Sequence, residues 1–165
     1  MKTTPDDAEG GMRRRSLRPN LSAALLILLL LPLDATAGSC KPTEPDDLGP
    51  FYKPGAPMRR TVGRGYVLAG TVRSARDCAP IEGAAIELWL AGPDGGYGDD
   101  YRATVIADGK GAYRFESHVP PPYYGRPPHI HLRVSARGFD TLVTQQYPEE
   151  GRRKGTFDVV LVPVR

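Results

Sequence analysis

The stretch Pro120–Val134, PPPYYGRPPHIHLRV, decides how this 165-residue chain is read. From His129 onward polar and apolar residues alternate, as HIHLRV. In an extended strand, successive side chains leave opposite faces. Ile130, Leu132 and Val134 therefore turn toward a core, while His129 and His131 share the other face. Their Cβ atoms then lie roughly 7 Å apart, at a rise of about 3.3 Å per residue. That spacing lets two imidazoles converge on one metal ion at about 2.0–2.2 Å each. The same alternation also suits two polar residues on a solvated face. The residues just upstream favour the metal, since Tyr123 and Tyr124 add phenol oxygens that ligate when deprotonated.

Outward from this strand, the chain reads as short strands separated by turn signals. Tyr66–Val72, Ile86–Leu90, Thr104–Ala107, Tyr113–Phe115, Leu142–Tyr147 and Phe157–Val162 join His129–Val134 as the predicted set. Asp108-Gly109-Lys110-Gly111 marks a hairpin between two of them. Ile86, Leu88 and Leu90 share one face of theirs. No stretch beyond residue 38 holds a 3.6-residue apolar period long enough for a helix. About seven strands in one domain predict an all-β, antiparallel β-sandwich. Residues 39–60 are proline-rich and irregular, and predict an extended arm over a sheet with Phe51 and Tyr52 as packing anchors.

The N-terminus predicts a cleavable signal over residues 1–37. Arg13, Arg14, Arg15 and Arg18 precede the apolar run Leu21–Leu33, and Ala35-Thr36-Ala37 offers a small-x-small cleavage site. This thirteen-residue run falls short of the roughly 20 residues that span a bilayer, so no stable membrane insertion follows cleavage. The implied location is periplasmic or extracellular, by the general secretory or the twin-arginine route. Residues 38–165 then form the domain. Its two cysteines, Cys40 and Cys78, predict one disulfide in an oxidising compartment; lipidation of Cys40 is the rival. With 22 basic and 19 acidic residues interspersed and a net charge of +3, nothing suggests a nucleic-acid surface. Homo-oligomerisation is left open.

A histidine pair needs further ligands. Iron sites with two histidines conventionally add a carboxylate, and Asp94, Asp99 and Asp100 lie in a loop able to bring one. Acidic residues in Gly-rich loops more often serve turns. Tyrosines are the other answer. A phenol titrates near 10, so a tyrosinate at neutral pH requires a strongly charged hard cation, which Fe(III) supplies better than Zn(II) or Fe(II). Two tyrosinates and one hydroxide neutralise a trivalent ion, and neutrality matters in a dry site.

GPFY at Gly49–Tyr52, CAPIEGAAIELW at Cys78–Trp89, YxGRxxHIH at Tyr123–His131 and TQQY at Thr144–Tyr147 resemble the intradiol ring-cleavage dioxygenases, the family of protocatechuate 3,4-dioxygenase and catechol 1,2-dioxygenase. The similarity is greatest to short, exported, single-domain members. The resemblance implies a β-sandwich binding non-haem Fe(III) through Tyr97, Tyr123, His129 and His131. Tyr123 corresponds to the tyrosine that leaves iron when substrate binds, and Tyr97 to the one that stays. Arg126 corresponds to an arginine that stabilises charge on the substrate, and Gln145 to a glutamine near the ring. Tyr124 rivals Tyr123, and Tyr101 rivals Tyr97. His118 fits no ligand position and reads as a surface residue. The implied partners are a small aromatic diol and dioxygen, and the implied product is a muconate-type diacid. A non-catalytic prealbumin-like or carbohydrate-binding sandwich, or a zinc site on His129 and His131, are the alternatives.

Overall fold

The computed structural model describes residues 39–165. The signal segment over 1–37 lies outside the described residues. Eight strands follow in order: β1 (Tyr66–Ser74), β2 (Ala85–Leu90), β3 (Arg102–Ile106), β4 (Ala112–Ser117), β5 (Ile130–Ser135), β6 (Leu142–Gln146), β7 (Lys154–Thr156) and β8 (Val159–Leu161). One sheet runs β3-β2-β5-β6, antiparallel throughout. The other has β1 at its centre, antiparallel to β4 and parallel to both β7 and β8. The all-β sandwich is as predicted, with these parallel pairings as an addition. β7 was not foreseen, because Lys154-Gly155-Thr156 carries no apolar alternation.

The core fills the space between the sheets. Leu68, Val72 and Phe115 face Ile86, Leu88, Ile130, Leu132 and Val134, all fully buried. The period-two reading of β5 and β2 therefore identifies the inner face correctly. Burying each such side chain contributes roughly 1.5–3 kcal/mol.

The second face of β3-β2-β5-β6 is also covered. Cross-strand registers align Arg102 with Trp89, Trp89 with His131, and His131 with Gln145. All four are buried. Their cover is the proline-rich arm, which lacks regular structure but is tied down along its length. Thr43 N donates to the Val160 carbonyl at 3.1 Å, Asp46 N to Val143 at 2.9 Å, and Thr104 N to the arm's Pro57 at 2.8 Å. The start of the arm is also fixed covalently, since Cys40 and Cys78 form the predicted disulfide with Cα atoms 5.2 Å apart.

Candidate active site

His131 lies in β5 and His129 immediately before it, on the same face. They are 3% and 2% exposed in the order His129, His131, although neither belongs to the apolar core. His129 Nδ1 lies 2.8 Å from the Pro127 carbonyl. A carbonyl only accepts, so Nδ1 carries the proton and Nε2 presents its lone pair. That lone pair meets the Tyr97 hydroxyl at 3.2 Å, with His131 Nε2 3.5 Å from the same oxygen. Two imidazole nitrogens and one phenol oxygen thus converge on one point.

Tyr123 joins them edge-on, its ring centroid 5.3 Å from that of Tyr97. Its position comes from a tight hairpin. Tyr123 N donates to the Arg126 carbonyl at 3.1 Å, and Arg126 N to the Tyr123 carbonyl at 2.8 Å. Between them Tyr124 and Gly125 have φ of +43° and +79°. Positive φ at both central residues is the mark of a type I′ turn. The turn holds Tyr123 and Arg126 as a facing pair and sends Tyr124 outward, 92% exposed. Of the two adjacent tyrosines, Tyr123 is the one in the cluster.

The choice between Tyr97 and Tyr101 is equally clear. Tyr101 packs against Gly92 and sits edge-on to His118 at 5.4 Å, away from the histidine pair. His118 is itself half-buried, with Nε2 2.8 Å from the Ala91 carbonyl. It is a packing residue of the loop's base, which corrects the surface reading. The loop carboxylates serve turns and the surface. Asp94 accepts from Gly96 N at 3.1 Å, and Asp99 pairs with Lys53 at 2.9 Å. Asp100 is exposed in a single 3₁₀ turn. Among the described residues, no three His, Cys, Asp or Glu side chains gather as a metal-holding group.

Arg126 and Gln145 meet. Arg126 Nη2 donates to Gln145 Oε1 at 2.9 Å and to the Tyr147 hydroxyl at 3.2 Å. Gln145 Nε2 in turn donates to the Asp47 carbonyl at 2.6 Å, and the Tyr147 hydroxyl to Asp46 Oδ2 at 2.8 Å. The amide is held at both ends, so its oxygen faces the guanidinium by necessity.

The arm contributes more than sequence reasoning assigned to it. Phe51 stacks on Tyr97 at 4.4 Å with planes 10° apart, and meets Tyr123 edge-on at 5.5 Å. Gly49 has φ of +70°, and a Cβ there would sit 3.1 Å from His131 Cε1. The glycine of GPFY is the signal that marks this close approach. Trp89 was missed as a site residue; it stacks on His131 from β2. The alternation that puts Ile86, Leu88 and Leu90 inward already placed it on the histidine face.

Burial of the histidine pair shapes the ionisation of the site. Burial first, then repulsion from His129, lower His131 to about 4, against the Asp47 carbonyl and the Asp46 charge. Burial first, then Tyr123, raises Tyr97 above the ordinary phenol value, with Arg126 opposing. At neutral pH the cluster alone therefore holds a neutral imidazole at His131 and a protonated phenol at Tyr97. A groove of about 870 Å³, lined in part by Pro122 and Pro127, holds none of the converging donors.

No family model matches the chain. It is 31% identical over 153 residues to the chlorocatechol 1,2-dioxygenase of Pseudomonas sp. (strain P51), covering 72% of this chain and 61% of that one. Among solved structures, the dioxygenase domain of a dioxygenase–carbohydrate-binding protein fusion from the cellulolytic bacterium Streptomyces sp. SirexAA-E superposes with a TM-score of 0.68 at 28% identity, over 75% of this chain and 100% of that one. The chlorocatechol 1,2-dioxygenase of Pseudomonas putida gives 0.63 at 26%, over 72% of this chain and 71% of that one. The chain belongs to the intradiol ring-cleavage dioxygenase family. It spans about three-fifths of the length of the first curated relatives it matches.

Proposed function

We propose that this protein is an exported Fe(III)-dependent dioxygenase that opens a catechol-type ring between its hydroxyl-bearing carbons, giving a muconate-type diacid. The observation that carries this is the convergence of His129 Nε2 and His131 Nε2 on the Tyr97 hydroxyl, with Tyr123 alongside. The donor set suits the ion. Both nitrogens face the phenol, His129 has its outer nitrogen tied to a carbonyl as metal-bound histidines usually do, and phenolate oxygens favour a hard trivalent cation. Tyr97, Tyr123, His129 and His131 would hold it. When bound, Fe(III) supplies Lewis acidity that keeps phenols ionised and draws electron density from the diol ring. The Cys40–Cys78 disulfide supports an oxidising destination.

The protein's own residues then have separable tasks. Tyr123, on the tip-facing side of the hairpin, takes a hydroxyl proton from the arriving diol at its phenolate oxygen. Tyr97 has no such freedom, because Phe51 covers its ring. Arg126 stabilises negative charge developing on the substrate oxygens. Gln145 and Tyr147 aim the guanidinium, and the arm keeps water from the ring. Both atoms of dioxygen end in the product as carboxylate oxygen.

The test is oxygen uptake by iron-loaded protein with catechol, in ¹⁸O₂, with product mass. One dioxygen consumed per ring and two labelled atoms in a diacid are expected. A colourless iron-loaded protein without uptake would instead favour a binding module.

A further inference from the structure

Tyr124 is the one aromatic of the PPPYYGR segment that the site does not use. Its ring is 92% exposed and its backbone sits at φ +43°, where asparagine, aspartate or glycine is the easier occupant. A non-glycine residue held there is strained. Nothing in the fold recovers that by burial, since the side chain contacts the protein chiefly through an edge-on approach to Tyr123 at 4.7 Å. The turn that places Tyr123 accounts for the backbone but not for the ring, which stands free beside the site as one wall of a cleft.

The surroundings define where that ligand lies. Tyr124 forms one wall of a cleft of about 470 Å³ whose other lining residues are Asp94, Gly95, Gly96, Pro122 and Tyr123. The cleft shares Tyr123 with the cluster and ends one residue short of Tyr97, so it opens from the site's rim. Gly95 leaves open space above its Cα. A dry cavity of roughly 150 Å³ already accepts a benzene ring, so this cleft has room for one more ring with substituents.

The geometry points to a rim subsite for a second aromatic ring carried by the substrate, with Tyr124 and Pro122 as its platform. The inference rests on the ring-cleavage reading and extends it to the substrate class. Asp94 selects further: its carboxylate accepts from a phenolic hydroxyl and repels an aryl carboxylate. The preferred substrate is a catechol bearing a neutral hydroxylated aryl group.

Two measurements test this. The first is binding of 4,4′-dihydroxybiphenyl, which has no adjacent hydroxyls, to the full-length chain by saturation-transfer NMR. Tyr124→Phe should match wild type, and Tyr124→Gly, which relieves the backbone, should fold but bind roughly three- to tenfold more weakly. Biphenyl-4,4′-dicarboxylate should bind more weakly than the diphenol to wild type. Equal affinity for wild type and Tyr124→Gly, or a preference for the dicarboxylate, overturns the subsite. The second is KM for 4-(4-hydroxyphenyl)catechol against catechol on iron-loaded protein. The aryl compound's advantage should vanish in Tyr124→Gly while catechol turnover stays within about twofold. Catechol turned over with an unchanged KM ratio sinks the subsite and leaves the activity standing. Biphenyl binding that tracks Tyr124 in a protein that opens no catechol supports the cleft and sinks the activity instead.

Discussion

The indole of Trp89 and the imidazole of His131 stack 4.8 Å apart with planes 6° from parallel. The two histidines are thus oriented by different means. His129 is held by a hydrogen bond from Nδ1 to Pro127. His131 Nδ1 makes no hydrogen bond of good geometry, although the Asp47 carbonyl lies near enough to favour a proton there. Its ring plane is set instead by Trp89 on one side and the Gly49 backbone on the other. Behind Trp89 the support continues, with Tyr52 packed on the indole at 5.1 Å and its hydroxyl donating to Glu87, which also pairs with Arg133 at 2.9 Å.

Trp89→Leu should therefore keep the fold and weaken iron retention by about tenfold, at the lower end of what residues supporting a ligand contribute. Trp89→Phe should lose less, because a smaller ring still stacks. Competition with a chelator reads the affinity, and imidazole proton shifts in the metal-free protein read the ring's freedom. Unchanged retention in Trp89→Leu would show that β5 alone orients His131.

Gly49→Ala attacks the same ring from above. The residue would take φ +70° with a Cβ 3.1 Å from His131 Cε1, so both backbone and imidazole must give. Iron loading should fall at least as far as in Trp89→Leu, with little change in far-UV circular dichroism. Gly55→Ala, also at positive φ but with open space around it, is the control for backbone strain. Equal losses in the two variants would assign the effect to strain and not to His131.

The fold and most of the cluster were legible because β5 has two buried faces with different chemistry. His129 and His131 alternate with Ile130 and Leu132, and a period of two cannot be mistaken there. The Tyr123 choice was not legible from alternation. It depends on a turn whose φ values at Tyr124 and Gly125 decide which ring faces inward. Tyr97 was similarly undetermined, since the loop before β3 is set by glycine turns and by Tyr101 filling the space over Gly92. His118 misled because one histidine in a polar stretch gives no sign of the Ala91 carbonyl that receives it. Trp89 was visible on the histidine face, but only the register to β5 reveals that it stacks there.

The metal-free protein should lose stability in mild acid. His131 has its folded-state value lowered to about 4 from an ordinary 6.5, mainly by burial. The unfolded chain therefore binds this proton more readily. The neutral ring's contribution is fully present above about pH 6.5 and is lost as pH falls toward 4, amounting to on the order of 3 kcal/mol. Urea midpoints at pH 7, 5.5 and 4.5 measure this. His131→Gln should show a shallower decline, and equal slopes would remove His131 as the source.

Reducing the Cys40–Cys78 bond should release the arm's start. With the cysteines separated by 38 positions in sequence, the chain-entropy model gives a loss on the order of 4 kcal/mol. The first consequence should be exposure of the sheet face the arm covers, seen as faster amide exchange at Trp89 and His131 before global unfolding. Simultaneous exchange throughout the domain would show that arm and sandwich unfold as one unit.

The sharpest separation of roles lies between the two tyrosines and Arg126. Tyr97 is clamped by Phe51 at 4.4 Å and lies 3.2 Å from His129 Nε2, so its oxygen should stay in place throughout turnover. Tyr97→Phe should lose most of the visible absorption that phenolate gives with Fe(III), along with much of the iron. Tyr123 lacks that stacked cover, since Phe51 meets it only edge-on at 5.5 Å, and the proposed role has it move when the diol arrives. Tyr123→Phe should keep iron and part of the colour, but lose a proton acceptor worth roughly 10²–10⁴ in rate. Arg126→Ala should leave the colour nearly intact and slow turnover, because its guanidinium bonds to Gln145 and Tyr147 and not to the nitrogen cluster. Gln145→Ala should reproduce a milder form of the Arg126 defect, since it aims that side chain without replacing its charge. Visible spectra and oxygen uptake on the four variants distinguish these outcomes. A fast Tyr123→Phe beside a slow Tyr124→Phe would put the proton acceptor on the exposed ring, and require the hairpin to turn over when the diol arrives.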